Sequence, residues 1–441
     1  MHGWMLYTLG VLIFAVGLLL SIALHEIGHL VPAKRFGVKV TQYMVGFGPT
    51  VWSRNRGGTE YGLKAVPLGG YIRMIGMVPP RPDGSRSRWP RRMATAIEDF
   101  RQISRAEIDP RDDAHQFYRL TPGKKIVVML GGPTMNLLIY LVLMVVLLIT
   151  LGVPKDSVSR QVGSITNCVV PASAPADQQT CRQPNSPAAL AGLAPGDTIV
   201  AIGNRPVSSW DDAVSVIETS PGVTLQLRVE RAGQPLTLAI TPVRNTKCAA
   251  FDTEGNCTAY KVAGFIGVTP RAQHSYQSVS ITGVPGEVGR QVRSGWDNVM
   301  QYPQKIADLW GTVFDGKKRD VNGAVGVIGI GRISGDFAQS TALDVKDKVY
   351  TLIALLASVN LLLFFFNLLP LLPLDGGHVA GAVVEAVRRG WARVRGRGRT
   401  AIFVDTAQML PVMYAVASVL IFVTLLTLYA DIVKPVRLSG G

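Results

Sequence analysis

Two histidines four residues apart share one face of a helix and can grip a single tetrahedral metal ion, and this chain carries such a pair in His25-Glu26-Ile27-Gly28-His29. Glu26 is offset by about 100° from His25, so its carboxylate can sit beside the metal without ligating it and act as general base. A catalytic zinc also needs a third protein ligand and an open position for water. The best candidate is Asp375, in the stretch Asn367 to His378, where a carboxylate follows directly on an apolar run. His378 is a rival ligand, ranked lower because it lies farther from that run. The chemistry such a set supports is metal-assisted hydrolysis.

The elements that must position these groups are membrane spans. Of 441 residues, 48% are hydrophobic and 17% charged, which excludes a disordered or fibrous chain and argues against an ordinary soluble enzyme. Four uncharged runs, Met5 to Leu24, Ile126 to Leu151, Val349 to Leu372 and Met409 to Ala430, are each long enough to cross a hydrocarbon core of about 30 Å. The first could mimic a signal peptide, with Ser21-Ile22-Ala23 as cleavage site, but no Lys or Arg precedes it. Histidines and a glutamate at the end of such a run cost of order 2 kcal/mol each in lipid and mark function by default. The alternative is that the trio only caps the helix at the interface beside Lys34 and Arg35.

Charge gives the orientation. Pro32 to Lys125 holds 18 Lys/Arg against 8 Asp/Glu, and Arg388 to Arg399 adds six Arg, so the positive-inside bias puts both loops in the cytoplasm and both termini outside. Spans one and three then cross in the same direction and deliver His25, His29 and Asp375 to the same leaflet. The net charge of +15 is absorbed by these loops, and no nucleic-acid-binding module accompanies it. All four cysteines, Cys168, Cys181, Cys248 and Cys257, fall in the outer segment and read as two disulfides, with Cys168–Cys181 and Cys248–Cys257 suggested by spacing among three possible connectivities. A zinc cluster is the competing reading, disfavoured because no C-x2-C spacing is present.

Other polar residues lie within the apolar runs. Asn136, Asn360 and Asn367 either hydrogen-bond between helices or face the site. Val38 to Met77 alternates apolar residues with Gly-rich turns at Arg56-Gly57-Gly58 and Leu68-Gly69-Gly70 and reads as β-hairpins. Pro285 to Phe314 reads as an amphipathic outer helix carrying Trp296 and Trp310. Met77 to Tyr118 reads as a basic cytoplasmic linker with a short helix, able to contact anionic lipid.

His25-Glu26-Ile27-Gly28-His29 paired with Leu374-Asp375-Gly376 resembles the site-2 protease family of intramembrane zinc metalloproteases, in the bacterial form that carries a PDZ domain and regulates sigma-factor proteolysis. Gly46-Phe47-Gly48-Pro49, Pro67-Leu68-Gly69-Gly70-Tyr71 and Gly132-Pro133 with Asn136 extend the match over nearly the whole chain. The resemblance implies one catalytic Zn2+ on His25, His29 and Asp375, water activated by Glu26, and Asn136, Asn367, Gly46 and Gly48 near the substrate cleft. It further implies a membrane re-entrant β region over 38–77, whose sheet edge could pair with an unwound substrate. Ser186 to Gly203 resembles a PDZ core, with Ala191, Gly192 and Leu193 at its groove. The two cysteine pairs look like local additions to that domain, of which a single copy is evident.

The expected architecture is a polytopic α-helical membrane protein of the bacterial plasma membrane with four transmembrane helices. In order these are helix 1 with H-E-x-x-H (1–37), the re-entrant β region (38–77), a cytoplasmic loop (78–125), helix 2 (126–151), an extracytoplasmic PDZ-like domain (163–270), an outer amphipathic helix and linker (271–348), helix 3 with L-D-G (349–378), a basic cytoplasmic loop (379–403) and helix 4 (404–432). The expected activity is hydrolysis of a peptide bond in or beside the transmembrane segment of a single-span protein, an anti-sigma factor by resemblance, already clipped outside by a site-1-type protease. Remnants of signal peptides are a second possible substrate class. The expected partners are that substrate and membrane lipid, with no nucleic acid, and the active site faces the cytoplasmic leaflet. The rivals are a proteolytically silent adaptor that binds helices through the PDZ domain, and a metal transporter, disfavoured because one span alone carries paired histidines.

Overall fold

The computed structural model describes residues 3–80, 89–106, 108–170, 183–251, 257–315, 319, 323–340, 343–396 and 403–435. It divides into two compact units, one formed by Met1–Leu151 with Val279–Gly441 and the other by Gly152–Ser278. The first begins with α1 (Gly3–Arg35), the hairpin strands β1 (Val40–Arg56) and β2 (Thr59–Met74), α2 (Arg91–Ala106) and α3 (Pro122–Thr150). The second unit contributes β3 (Val153–Ile165), β4 (Cys168–Val169), β5 (Gln183–Pro184), α4 (Pro187–Leu190), β6 (Thr198–Ile202), β7 (Arg205–Pro206), α5 (Trp210–Glu218), β8 (Leu225–Arg231), β9 (Gln234–Ile240), β10 (Val243–Phe251), β11 (Cys257–Phe265) and β12 (Val268–Gln277). The chain then returns to the first unit with α6 (Val284–Met300), α7 (Tyr302–Phe314), α8 (Val327–Gln339), α9 (Val345–Leu368), α10 (Asp375–Val394) and α11 (Leu410–Val433).

Among the described residues four helices are long and apolar enough to cross a membrane: α1, α3, α9 and the stretch Thr406–Val433 that contains α11. With the strands, these make the chain a multi-pass membrane protein with a β component. The helix limits follow local chemistry. Proline at the first position opens α3, where a missing N–H costs nothing, and the Asp344 carboxylate caps α9 by accepting from Asp347 N at 2.8 Å. Pro370 and Pro373 cannot continue α9, so Leu369 to Leu374 leaves the helix before α10 starts at Asp375.

Small residues set the helix packing. A Cβ on Gly28 would lie 2.2 Å from the Gly131 carbonyl oxygen, and one on Gly131 only 1.9 Å from that of Gly28, so α1 and α3 meet backbone to backbone. At the other end of α1, a Cβ on Gly10 would meet Ala338 at 2.5 Å and the Ser334 carbonyl at 2.7 Å, which seats α8 against the same helix. The N-terminus of α8 is capped from α11: Asp431 Oδ2 accepts from Gly326 N at 3.0 Å and Gly329 N at 2.8 Å. Arg319 Nη2 donates to Asp431 Oδ1 at 2.7 Å, which completes a buried, fully partnered charge.

The β1–β2 hairpin folds back on itself. Val40 to Val45 pairs with Gly70 to Met74, while Gln42 to Val45 also lies in register with Glu60 to Leu63, and Thr50 to Arg56 pairs with Thr59 to Lys64. Gly46 and Gly48, at φ +92° and +84°, make the break in β1 that this requires. The result is four segments in the order 50–56, 59–64, 40–45 and 70–74, with Gly70 to Met74 at an edge that no further strand among the described residues pairs.

The second unit is built on a sheet of order β12-β3-β6-β8-β9, with β7 on β6, over a core that includes Val162, Ile199, Leu227, Val229, Ile240 and Trp210. Asp197, fully buried, takes Arg231 Nε and Nη2 at 2.7 Å each and Ala194 N at 2.8 Å. The guanidinium holds this carboxyl below its usual range. A separate hairpin, β10 with β11, is tied by the disulfide Cys248–Cys257. Cys168 is also disulfide-bonded, and Cys181 lies outside the described residues.

Four boundaries differ from the sequence reading. The unit expected over 163–270 runs from Gly152 to Ser278, because β3 and β12 stay paired out to Val153 and Gln277. Pro285 to Phe314 is two helices, broken at Gln301 with Pro303 in the first turn of α7. The glycines of 327–339 concealed α8, whose small residues serve packing rather than flexibility. Much of the loop expected over 379–403 is helical, since α10 continues to Val394. The close α1–α3 contact predicts that Gly28→Leu lowers the stability of the purified protein by about 1–3 kcal/mol or more, read as a fall in thermal midpoint in detergent, whereas Gly3→Leu, with no atom within 4 Å of the added Cβ, leaves it unchanged.

Candidate active site

His25 and His29 project from the last third of α1, and Asp375 is the first residue of α10. Their donor atoms form a nearly equilateral triangle: His25 Nε2 to His29 Nε2 is 3.3 Å, His25 Nε2 to Asp375 Oδ2 is 3.5 Å, and His29 Nε2 to Asp375 Oδ2 is 3.3 Å. A tetrahedral ion with bonds of about 2.0–2.1 Å sets its ligands about 3.3 Å apart. The triangle therefore fits zinc, and among the described residues it is the group of His, Cys, Asp or Glu side chains placed to hold a metal.

The hydrogen bonds around the imidazoles support the same state. His29 Nδ1 bonds the Val128 carbonyl at 2.8 Å, so Nδ1 carries the proton and Nε2 presents a lone pair to the centre of the triangle. His25 Nδ1 lies 3.1 Å from the Asn136 amide, whose Oδ1 is buried without a partner. Turning that amide over lets Oδ1 accept from His25 Nδ1–H and frees the second Nε2, and the orientation of an amide is assigned from such networks. Asp375 Oδ2, also buried and without a hydrogen bond, is an acceptor that a cation would satisfy.

Glu26 is 7% exposed and packs under the sheet edge, where a Cβ on Gly70 would come within 2.9 Å of its Cγ. Gly132 closes the opposite side: a Cβ there would lie 2.2 Å from His29 Nε2 and 2.7 Å from His25 Nε2, inside the space an ion needs. Ser21, one turn before His25, accepts from Asn360 Nδ2 at 3.0 Å, which ties α9 to α1. Gly376 and Gly377 fold against the unwound stretch, where added Cβ atoms would meet the Leu369 and Leu368 carbonyls at 2.3 and 2.4 Å and Leu372 N at 2.6 Å.

The sequence-derived residues thus divide. His25, His29, Glu26, Asp375 and Asn136 come together. Asn367 is half-buried near the end of α9, and its side chain makes no hydrogen bond among the described residues. Gly46 and Gly48 serve the bend of β1. Ala191, Gly192 and Leu193 do not line the cavity beside α5: Leu193 is 5% exposed in the core of the second unit, and Gly192 turns at φ +73° with its carbonyl held by Arg231. The cavity of that unit, about 310 Å³, lies between α5, at Trp210, Ala213 and Ile217, and the stretch Ala263 to Val268. Sequence reasoning missed Gly28, Gly131, Ser21 and the Val128 carbonyl. The small-residue pairing of two apolar spans could have flagged the glycines, but a backbone carbonyl leaves no signal in residue type.

Comparison with known proteins agrees with this geometry. The model of peptidase family M50 matches residues 13–409. The chain is 34% identical to the zinc metalloprotease Rip1 of Mycobacterium tuberculosis over 98% of its own length and all of that relative's. It is 25% identical to the zinc metalloprotease RasP of Geobacillus kaustophilus, covering 82% of this chain and 86% of that one. It is also 25% identical to the regulator of sigma E protease of Salmonella typhi, covering 87% and 92%. A triangle of two imidazoles and a carboxylate beside a buried glutamate, in a chain alike over almost its whole length to zinc metalloproteases, belongs to peptidase family M50, the site-2 protease family of intramembrane zinc metalloproteases.

Proposed function

We propose that His25, His29 and Asp375 hold one zinc ion and that Glu26 is the general base for hydrolysis of a peptide bond in or next to the transmembrane segment of a single-span protein. The observation that carries this reading is the donor triangle with Glu26 packed beside it between α1 and the open strand edge. Zinc bound there supplies a Lewis acid that acidifies water and polarises the scissile carbonyl. Glu26 takes the proton from the attacking water and returns it to the leaving amine nitrogen. Asn136 and the Val128 carbonyl hold the two imidazoles in the tautomer that keeps both Nε2 atoms unprotonated.

The substrate reading is a membrane-bound anti-sigma factor, clipped first outside the membrane by a separate protease. It is supported by the name of the Salmonella relative, regulator of sigma E protease. The edge segment Gly70 to Met74 receives the substrate as an added strand, because an unwound peptide inside a membrane must have its N–H and C=O groups satisfied. The second unit acts as a PDZ-like module on the outer face, taking peptide in the cavity between α5 and Ala263 to Val268. The basic loops place the Pro32 to Lys125 segment in the cytoplasm of a bacterial cell, with both termini outside and the active site toward the cytoplasmic leaflet.

Two measurements test this function. Glu26→Gln keeps zinc content by metal analysis but loses about 10³-fold or more of cleavage of a single-span reporter; full cleavage by that variant excludes Glu26 as the base. Proline introduced separately at Tyr71 and Ile72 removes in one case a ladder donor and in the other an outward donor, since neighbouring N–H groups alternate sides. The outward variant loses cleavage of the membrane reporter at unchanged zinc content, and full cleavage by both variants rules out strand addition at this edge.

A further inference from the structure

Within the membrane-spanning unit, α3, α6, α7, α8 and α9 with Gly323 to Val325 line a half-open cavity of about 420 Å³ that is separate from the donor triangle. Its wall along α9 is apolar, from Leu355 to Phe365, apart from Ser358. Its other side is mixed, with Gln291 and Asn298 from α6 and Lys305 from α7 beside Ala324, Val325 and Ile330. Two features of this lining point to a ligand. Tyr140, which lines the cavity from α3, is 1% exposed, and its hydroxyl has no hydrogen-bond partner. A buried hydroxyl left in that state is costly, so a polar group that meets it is strongly favoured. Lys305 is the one charged residue of the lining. Its ammonium donates to Asn298 Oδ1 at 3.0 Å and meets no carboxylate among the described residues, which leaves a half-buried cation at the cavity able to meet an anion.

We propose that this cavity is a binding site for one anionic phospholipid, with the phosphate at Lys305 and Asn298, an ester or hydroxyl oxygen at Tyr140, and acyl carbon along the α9 wall. Charge decides the occupant: a lone ammonium beside neutral donors suits a phosphodiester carrying one negative charge, and an aliphatic wall suits its chain. A zwitterionic lipid brings a second cation that nothing in the lining balances. The site also touches the hydrolytic centre indirectly. Tyr140 stands four residues from Asn136 on the same face of α3, so a lipid seated there buttresses the helix one turn away from the amide beside His25.

The test uses the full chain purified in mild detergent, loaded with phosphatidylglycerol or phosphatidylcholine and followed by native mass spectrometry. One phosphatidylglycerol per chain should survive mild activation, bound about tenfold or more tightly than phosphatidylcholine. Lys305→Gln should erase that preference, Lys305→Arg should keep it, and Tyr140→Phe should weaken retention about fivefold. Thermal midpoints measured without added lipid separate loss of the site from loss of the fold. Equal retention of the two lipids by the unaltered chain, or an unchanged preference in a folded Lys305→Gln protein, overturns the proposal.

Discussion

Everything at the metal centre depends on α1 and α3 approaching to backbone contact at Gly28 and Gly131. Only at that separation can the Val128 carbonyl reach His29, Asn136 reach His25, and Gly132 stand against both rings. Lipid offers no water to satisfy a polar group left alone, so imidazoles at this depth are tolerable only because the neighbouring helix supplies their partners. In this sense the glycines are as much part of the chemistry as the ligands. Their role is to have nothing where a side chain would be.

The third ligand is held by a different kind of force. Asp375 opens α10, and ten residues along that helix Glu385 is buried against Lys125 of α3 at 2.7 Å and Arg389 at 2.6 Å. Lys125 also sits one turn before Val128, so the ion pair ties the helix that starts with the carboxylate to the helix that orients an imidazole. Buried pairs of this kind add little net stability, but removing one partner costs about 3–5 kcal/mol, which makes them effective at fixing register. The unwound Leu369 to Leu374 stretch upstream would otherwise leave α10 free to choose its angle.

Residue types carried most of the centre. His25, Glu26, His29 and Asp375 were legible because charged and metal-binding groups are rare within apolar runs, and the equal length of spans one and three predicted that they meet. The break after α9 was legible in Pro370 and Pro373. What stayed hidden was packing at the level of backbone: α8 read as a linker because its glycines look like flexibility until Gly10 and Tyr7 of α1 are seen against them. The cavity beside α5 was hidden for a related reason. The turn at Gly192 is conspicuous in sequence and gives its carbonyl to Arg231, which also holds Asp197, while the cavity is shaped by α5 and a less distinctive strand junction.

The cap that Asp431 places on α8 has a consequence for biogenesis. The carboxylate lies 102 residues beyond the Gly329 amide it accepts from, so during synthesis the N-terminus of α8 emerges before the group that caps it. The seat of α8 is therefore completed only once α11 is in place, and a chain cut before Asp431 lacks the carboxylate that caps it.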